Sequence, residues 1–342
     1  MTPVNFKDFG LVLTLHATLR TAKTMLRIKD PGRSIPFYTE LFGMSLIDTL
    51  DFPQYGFKLF FLATLPEGEK LEKPGTKKAH DYLWSIEGTA LELTWNYGTE
   101  SDESFTYHPS NEKGDGFGHI AFNVDDVYEA CEQLEQKGVS FKKKPDEGRM
   151  KGLAFAYDPD GYWVEIVKRN EPGKIAPYYN FSQTMMRIKD PAKSIPFYES
   201  LGMTVVRAKD YGDFSNFFLV SSANVDPSVD YSSLDDAEAK ARLSMLFGPV
   251  LELTHNHGTE KDDSFKHFNG NEEGRQGFGH IGFLVDDVYA ACDDIRKLGY
   301  GFRKEPDGGS MKGLAFALDP DGYSIEIIKR GGIDFGDVKV EE

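Results

Sequence analysis

Apolar and polar residues alternate through LELTWN, 91–96. Leu91, Leu93 and Trp95 fall on one face of a strand, and Glu92 and Thr94 on the other. The same period of two runs through WVEIV around Glu165. It also runs through GHIAF, where His119 shares a face with Ala121, opposite Ile120 and Phe122. In DDVYEACEQLEQKG, 125–138, the period changes. Val127, Tyr128, Cys131 and Leu134 recur at helical spacing, Asp125 or Asp126 is placed to cap the helix, and Gly138 to close it. TMLRIK reads as a strand, SIPFYTELF as the helix after it, and SLIDTLD, FKLFFLA and TALELTW as three further strands. Units of this kind recur four times. The pattern predicts an α+β fold of four β-α-β-β-β modules that pair into eight-stranded sheets.

The modules are two copies of a larger repeat. KTMLRIKDP at 23–31 returns as QTMMRIKDP at 183–191, and LELTWNYGTE as LELTHNHGTE. GFGHIAFNVDDVYEAC returns as GFGHIGFLVDDVYAAC, and MKGLAFAYDPDGYWVEIVKR as MKGLAFALDPDGYSIEIIKR. NEPGKIAPYYNF, 170–181, carries two prolines and a glycine and reads as the link between copies. The expected division is an N-terminal arm at 1–20, a first domain at 21–169, a linker at 170–182, a second domain at 183–330 and a tail at 331–342.

Composition narrows the function classes. A chain of 342 residues with 40% apolar side chains can bury two ordinary cores. A net charge of −16 argues against nucleic acid as the main partner, although a few cations can still converge on a small anion. No apolar run approaches the roughly 20 residues that span a bilayer, and LVLTLHATL near the N-terminus is about half that length. The two cysteines, Cys131 and Cys292, occupy matching points of two helices, read as buried hydrophobes, and suit a reducing compartment. The expectation is a cytoplasmic protein; a trimmed organelle form also fits the sequence.

Four polar residues per copy stay in register inside apolar strands. Lys23 and Glu92 are 69 residues apart, as are Gln183 and Glu252; His119 and Glu165 are 46 apart, as are His280 and Glu326. A lone Glu in a strand is commonly a solvated residue, and duplication by itself preserves spacing. The one changed member is informative: a glutamine oxygen can offer a lone pair to a metal, whereas a protonated lysine only donates.

QTMMRIKDP, LELTHNHGTE, GFGHIGF and MKGLAFALDPDGYSIEI resemble the glyoxalase I family, the lactoylglutathione lyases of the vicinal-oxygen-chelate superfamily, in its long two-domain form. The resemblance runs from about residue 21 to 330. It implies tandem domains of paired modules whose curled, mixed sheets surround a metal, each site being shared between the domains. It also implies isomerisation of the hemithioacetal of methylglyoxal and glutathione to S-lactoylglutathione. A proton leaves carbon beside a carbonyl, an enediolate forms, and a divalent metal stabilises its charge while a carboxylate carries the proton to the neighbouring carbon. Ligands without thiolate suit Zn²⁺, Ni²⁺, Co²⁺ or Mn²⁺. The insertion KKAHDYLWSIEGTA resembles the zinc-type members and favours zinc.

Carried over residue by residue, one site uses Gln183, Glu252, His119 and Glu165 as ligands. Glu165 stands in the place of the catalytic base, with Glu252 across the metal. Arg187 and Asn256 would receive the glutamyl end of glutathione, and Lys143, Arg149 and Lys151 the glycyl end. The second site would use Lys23, Glu92, His280 and Glu326, with Arg27, Asn96, Lys304 and Lys312 for glutathione. Lys23 replaces its first ligand, so a metal-free pseudo-site held by an ion pair is expected, and Ser310 replaces a cation there. Asp115 stands just before GFGH, where the family often carries a basic residue. One divalent metal and a monomer with two pseudo-symmetric domains are expected. Dioxygenases of related fold use two His and one carboxylate, unlike either set here. A glutathione-conjugate binding protein with little catalysis is the competing class.

Overall fold

The computed structural model describes residues 20–65, 68–86, 88–169, 179–246 and 249–333. All of the expected arm except Arg20, most of the expected linker and the tail beyond 333 lie outside the described residues. The first repeat supplies β1 (Arg20–Ile28), α1 (Pro31–Pro36), β2 (Ser45–Phe52), β3 (Phe57–Ala63), α2 (Lys77–Leu83) and β4 (Ala90–Asn96). It continues with β5 (Phe117–Val124), α3 (Val127–Gln136), β6 (Phe141–Lys143), β7 (Ala154–Tyr157) and β8 (Trp163–Lys168). The second supplies β9 (Asn180–Ile188), α4 (Pro191–Ser200), β10 (Met203–Asp210), β11 (Phe214–Ser221), α5 (Asp236–Met245) and β12 (Val250–Asn256). It ends with β13 (Phe278–Val285), α6 (Val288–Lys297), β14 (Phe302–Lys304), β15 (Leu314–Leu318) and β16 (Ser324–Lys329). Because β9 begins at Asn180, the last residues of the expected linker are already strand.

Local chemistry sets these boundaries. Asp126 caps α3 by accepting from the backbone N–H groups of Tyr128 and Glu129, and α3 buries Val127, Ala130, Cys131 and Leu134. Gly138, just past its end, has φ +85°, a left-handed conformation that a side chain would strain. Pro31 and Pro191 each open a helix at the position where a missing N–H costs nothing, behind the caps Asp30 and Asp190.

Each eight-stranded mixed sheet contains strands from both repeats. One runs β14-β15-β16-β13-β1-β4-β3-β2 and the other β10-β11-β12-β9-β5-β8-β7-β6. The seams between repeats are the antiparallel ladders β1–β13 and β5–β9. Equivalent residues of the two copies meet near a pseudo-twofold axis: Thr24 Oγ1 is 2.6 Å from Thr184 Oγ1, and Phe117 stacks on Phe278 at 4.7 Å between ring centroids. Alternation along the strands divides their side chains. Leu26, Ile28, Met186 and Ile188 enter one continuous core with Phe122, Phe197, Phe283 and Ile327. Lys23, Met25 and Arg27 of β1 take the other parity, as do Gln183, Met185 and Arg187 of β9. Both cysteines are buried and free, as small core residues.

Candidate metal centre

Four strands of the second sheet aim one polar side chain each at a common point: Gln183 from β9, Glu252 from β12, His119 from β5 and Glu165 from β8. His119 Nε2 lies 3.2 Å from Glu165 Oε2 and 3.5 Å from Glu252 Oε2. One potential ligand atom from each of these three buried residues falls within 4.8 Å of the others, the one such group among the described residues. Gln183 Nε2 donates to Glu165 Oε2 at 2.9 Å and to Glu252 Oε2 at 2.8 Å. Burial pushes the Glu252 carboxyl up, against the pull of His119. Burial opposes a charge on His119, yet the two carboxylates outweigh it and lift the imidazole to about 9.

These residues fit a divalent cation. His119 Nε2 is buried, near both carboxylates but aligned with neither, and has no hydrogen-bond partner among the described residues. Two desolvated carboxylates side by side call for a positive charge between them. The Gln183 amide can present its oxygen instead of its nitrogen by a half-turn. Asn216 of β11, which the sequence reading missed, steadies the set: its Nδ2 donates to Glu252 Oε1, and its Oδ1 accepts from Thr254 Oγ1 at 2.9 Å. A lone Asn on the strand parity of Phe218, inside FSNFFLVS, was the available signal.

Lys23, Glu92, His280 and Glu326 also converge, on the first sheet, but differently. Lys23 Nζ donates to Glu92 Oε2 and lies 2.8 Å from Glu326 Oε2, with all three side chains buried. His280 Nε2 stands back at 3.9 Å and 3.8 Å from the two carboxylates. The ammonium sits where a cation would be needed, so this set does not fit a metal. Burial opposes its charge, but Glu326 and Glu92 hold the lysine above its ordinary value. Burial and the Lys23 charge drive His280 well below its ordinary value, the reverse of His119. Gly282, across the ladder from Lys23, makes room for the longer stem: a Cβ there would lie 2.9 Å from Lys23 Cγ. The matching pair in the second sheet is Ala121 and Gln183.

A cavity of about 320 Å³ lies over Gln183, Glu165 and Glu252. Of the five residues assigned to glutathione, Lys151 lines it, beside Lys168, Arg207 and Lys240, which the sequence reading did not single out. Arg187 donates to Asn111 Oδ1 at 2.9 Å and to the Phe117 carbonyl at 3.1 Å, and Asn256 is exposed at the end of β12. Lys143 Nζ donates to the Leu153 carbonyl at 2.6 Å. Arg149 reaches across to the β10–β11 turn, pairing with Asp213 at 3.1 Å and with the Tyr211 carbonyl. In the other half, Arg27 donates to Asn271 Oδ1 at 2.9 Å and Asn96 to the Tyr107 hydroxyl at 2.7 Å. Lys304 donates to the Leu314 carbonyl at 2.7 Å, and Lys312 to the Asp307 carbonyl. Asp115 is buried and held by His108 Nε2 at 2.8 Å and Arg275 Nη1 at 2.9 Å. A guanidinium from the second repeat thus stands beside the position where a basic residue was expected.

Comparison with known proteins agrees with this geometry. The sequence profile of the Glyoxalase/Bleomycin resistance protein/Dioxygenase superfamily matches residues 20–166 and again 180–327. The lactoylglutathione lyase of Schizosaccharomyces pombe is 42% identical over 319 residues, covering 92% of this chain and 97% of that protein. Glyoxalase I of Saccharomyces cerevisiae is 41% identical over 325 residues, covering 92% and 93%. The crystal structure of glyoxalase I from Zea mays superposes with a TM-score of 0.65 at 28% identity, covering 92% of this chain and 94% of that one.

Proposed function

The chain belongs to the glyoxalase/bleomycin resistance/dioxygenase superfamily as a two-domain glyoxalase I, a lactoylglutathione lyase, and we propose that its chemistry is confined to the Gln183, Glu252, His119 and Glu165 set. The observation that carries this reading is the convergence of those side chains, with an unpartnered His119 nitrogen, on one buried point beneath the cavity of about 320 Å³. When bound there, a divalent metal supplies Lewis acidity toward substrate oxygen. Zinc is the metal proposed, from one imidazole, two carboxylates and an amide with no thiolate, and from the α2 insertion. Gln183 and His119 hold the floor of the site, and Asn216 fixes the orientation of Glu252.

Glu165 is the proposed proton carrier. Its carboxylate takes the proton from the carbon bearing sulfur in the methylglyoxal–glutathione hemithioacetal and returns it to the neighbouring carbonyl carbon, while the hydroxyl proton of the first carbon passes to the oxygen of the second, so atoms balance within one molecule. Lys151, Lys168 and Lys240 give the cavity the positive lining that suits glutathione carboxylates. Arg187, Lys143 and Arg149 are proposed to reach glutathione only by leaving their present partners, and Asn256 from its exposed place at the end of β12. The chain supplies both halves of each sheet, which supports a monomer. No described helix is long and apolar enough to cross a membrane, and the two free cysteines support a cytoplasmic setting. Glutathione-conjugate binding without catalysis is the weaker reading, because a binding site has no need of two buried carboxylates converging on an unpartnered imidazole nitrogen.

The test is isomerisation of the hemithioacetal by purified, zinc-loaded protein. Glu165→Gln keeps the shape but cannot accept the proton, and is expected to lose on the order of a hundredfold or more. Glu326→Gln is expected to retain most activity. The reverse result would move the active site to the Lys23 half.

A further inference from the structure

The Lys23 half keeps a cavity of its own, of about 250 Å³. Its walls have changed character relative to the other half. Strand register makes Leu59 the counterpart of Asn216, since these pair with Thr94 and Thr254. Leu50, opposite Leu59, is likewise the counterpart of Lys209, opposite Asn216. With Phe57, Trp84, Met311 and Phe316 they form an apolar, aromatic enclosure. The polar floor is Lys23 between Glu92 and Glu326.

Two guanidinium groups also line this cavity, Arg27 and Arg303. Arg27 is held by carbonyl oxygens of residues 270, 277 and 278 and by Asn271, none of them a carboxylate. Arg303 stacks over Phe316, 4.8 Å from the ring centroid, and has no carboxylate partner among the described residues. Three cations therefore face two carboxylates, leaving one positive charge in a chamber whose remaining walls are mostly apolar, with Thr94, Asn96 and a neutral His280 as the other polar lining. Such a chamber selects against a zwitterionic peptide with many polar groups, whose desolvation it cannot offset. It selects for a small apolar body carrying one anionic group, which a planar guanidinium can bind through two parallel hydrogen bonds.

We infer that the Lys23 cavity is a separate binding site for a small aromatic or branched aliphatic monocarboxylate, with the carboxylate on Arg303 and the apolar body between Leu59, Trp84, Met311 and Phe316. The volume, slightly under the range usual for drug-sized ligands, suits a compact molecule. This site stands apart from the proposed chemistry at Glu165, and its occupancy does not depend on that reading.

The experiment uses full-length, zinc-loaded protein and 3-phenylpropionate as probe, followed by calorimetry and tryptophan fluorescence. One equivalent is expected to bind with a Kd on the order of 0.1 mM, a fair affinity for a ligand of about eleven heavy atoms. The neutral 3-phenylpropanamide is expected to bind about tenfold or more weakly, and Arg303→Gln to weaken the acid by a similar factor. Trp84→Phe should remove the fluorescence change while Glu165→Gln leaves it in place. The inference is overturned by absence of binding at millimolar acid, or by equal binding of acid and amide. It is also overturned by S-methylglutathione displacing the probe from this cavity.

Discussion

Replacing Lys23 by glutamine removes the one cation buried between Glu92 and Glu326. The three side chains are 4%, 3% and 6% exposed, so water does little to screen the loss. Removing one partner of a buried ion pair typically costs about 3–5 kcal/mol, because the other charge is stranded. Each kcal/mol moves the melting temperature by about 2–4 °C at this domain size, so chelated K23Q should melt on the order of 10 °C below the chelated wild type at pH 8. Protons limit the penalty. Burial already holds Glu92 above its ordinary value, and losing Lys23 raises it further. A carboxyl whose folded value is raised contributes stability below its unfolded value, near 4, that is lost as pH rises through the folded value. The gap between variant and wild type should therefore be small at pH 5 and wide at pH 8. Zinc should close the gap, and metal content should rise from one to two per chain. Gly282→Ala alone should destabilise, since its Cβ meets the Lys23 stem at 2.9 Å, whereas adding it to K23Q recreates the Gln183–Ala121 pairing and should be tolerated. Scanning calorimetry with EDTA or zinc, and elemental analysis, read these outcomes. Chelated K23Q that melts with the wild type at pH 8 and still holds one metal would refute the account of Lys23 as a built-in counter-charge.

Wild-type protein should retain one divalent metal per chain after exhaustive dialysis; elemental analysis showing two of similar affinity would contradict the pseudo-site. Asn216→Leu, which copies Leu59, should weaken metal affinity by about 10–100-fold in competition with a chromophoric chelator, and unchanged affinity would mean Glu252 needs no orientation. In metal-free protein, the His119 value lifted to about 9 means its charge contributes stability in full below pH 6.5 and loses it as pH rises through 9. The melting gap between chelated wild type and chelated His119→Gln should narrow from pH 6 to pH 9.5, and a constant gap would show that His119 stays neutral.

Where chemistry is local, the sequence was legible. The periods of two and 3.6 located the strands around Glu92, His119 and Glu165 and the α3 helix, with its cap narrowed to Asp125 or Asp126, of which the structure uses Asp126, because those choices are made within a few residues. The metal set drew on the resemblance as well, since nothing in a strand pattern says that β5 and β9 will be neighbours. What stayed hidden depends on distant partners. Asn216 gains its meaning from Glu252 on the next strand, Arg149 is engaged by the turn around Asp213, and Asp115 by Arg275. A surface cation and a cation already in a cross-domain pair look the same in one dimension.

The two sheets differ in when they can be made. Strands β5 through β12 form one sheet from a continuous stretch, 117–256, so the proposed metal centre can assemble as that stretch leaves the ribosome. Strands β1 through β4 emerge first, yet Met25 finds its ladder partner only at His280. Until then the inner edge of β1 is an open template for any passing strand. The nascent chain therefore carries a nearly finished second sheet, with the proposed metal centre, while its oldest segment waits, and synthesis that stalls between 256 and 278 should yield chains prone to aggregate through their N-terminal strands. Lys23 lies on that waiting edge; a charged side chain there discourages mispairing during synthesis and becomes a buried ion pair once β13 arrives.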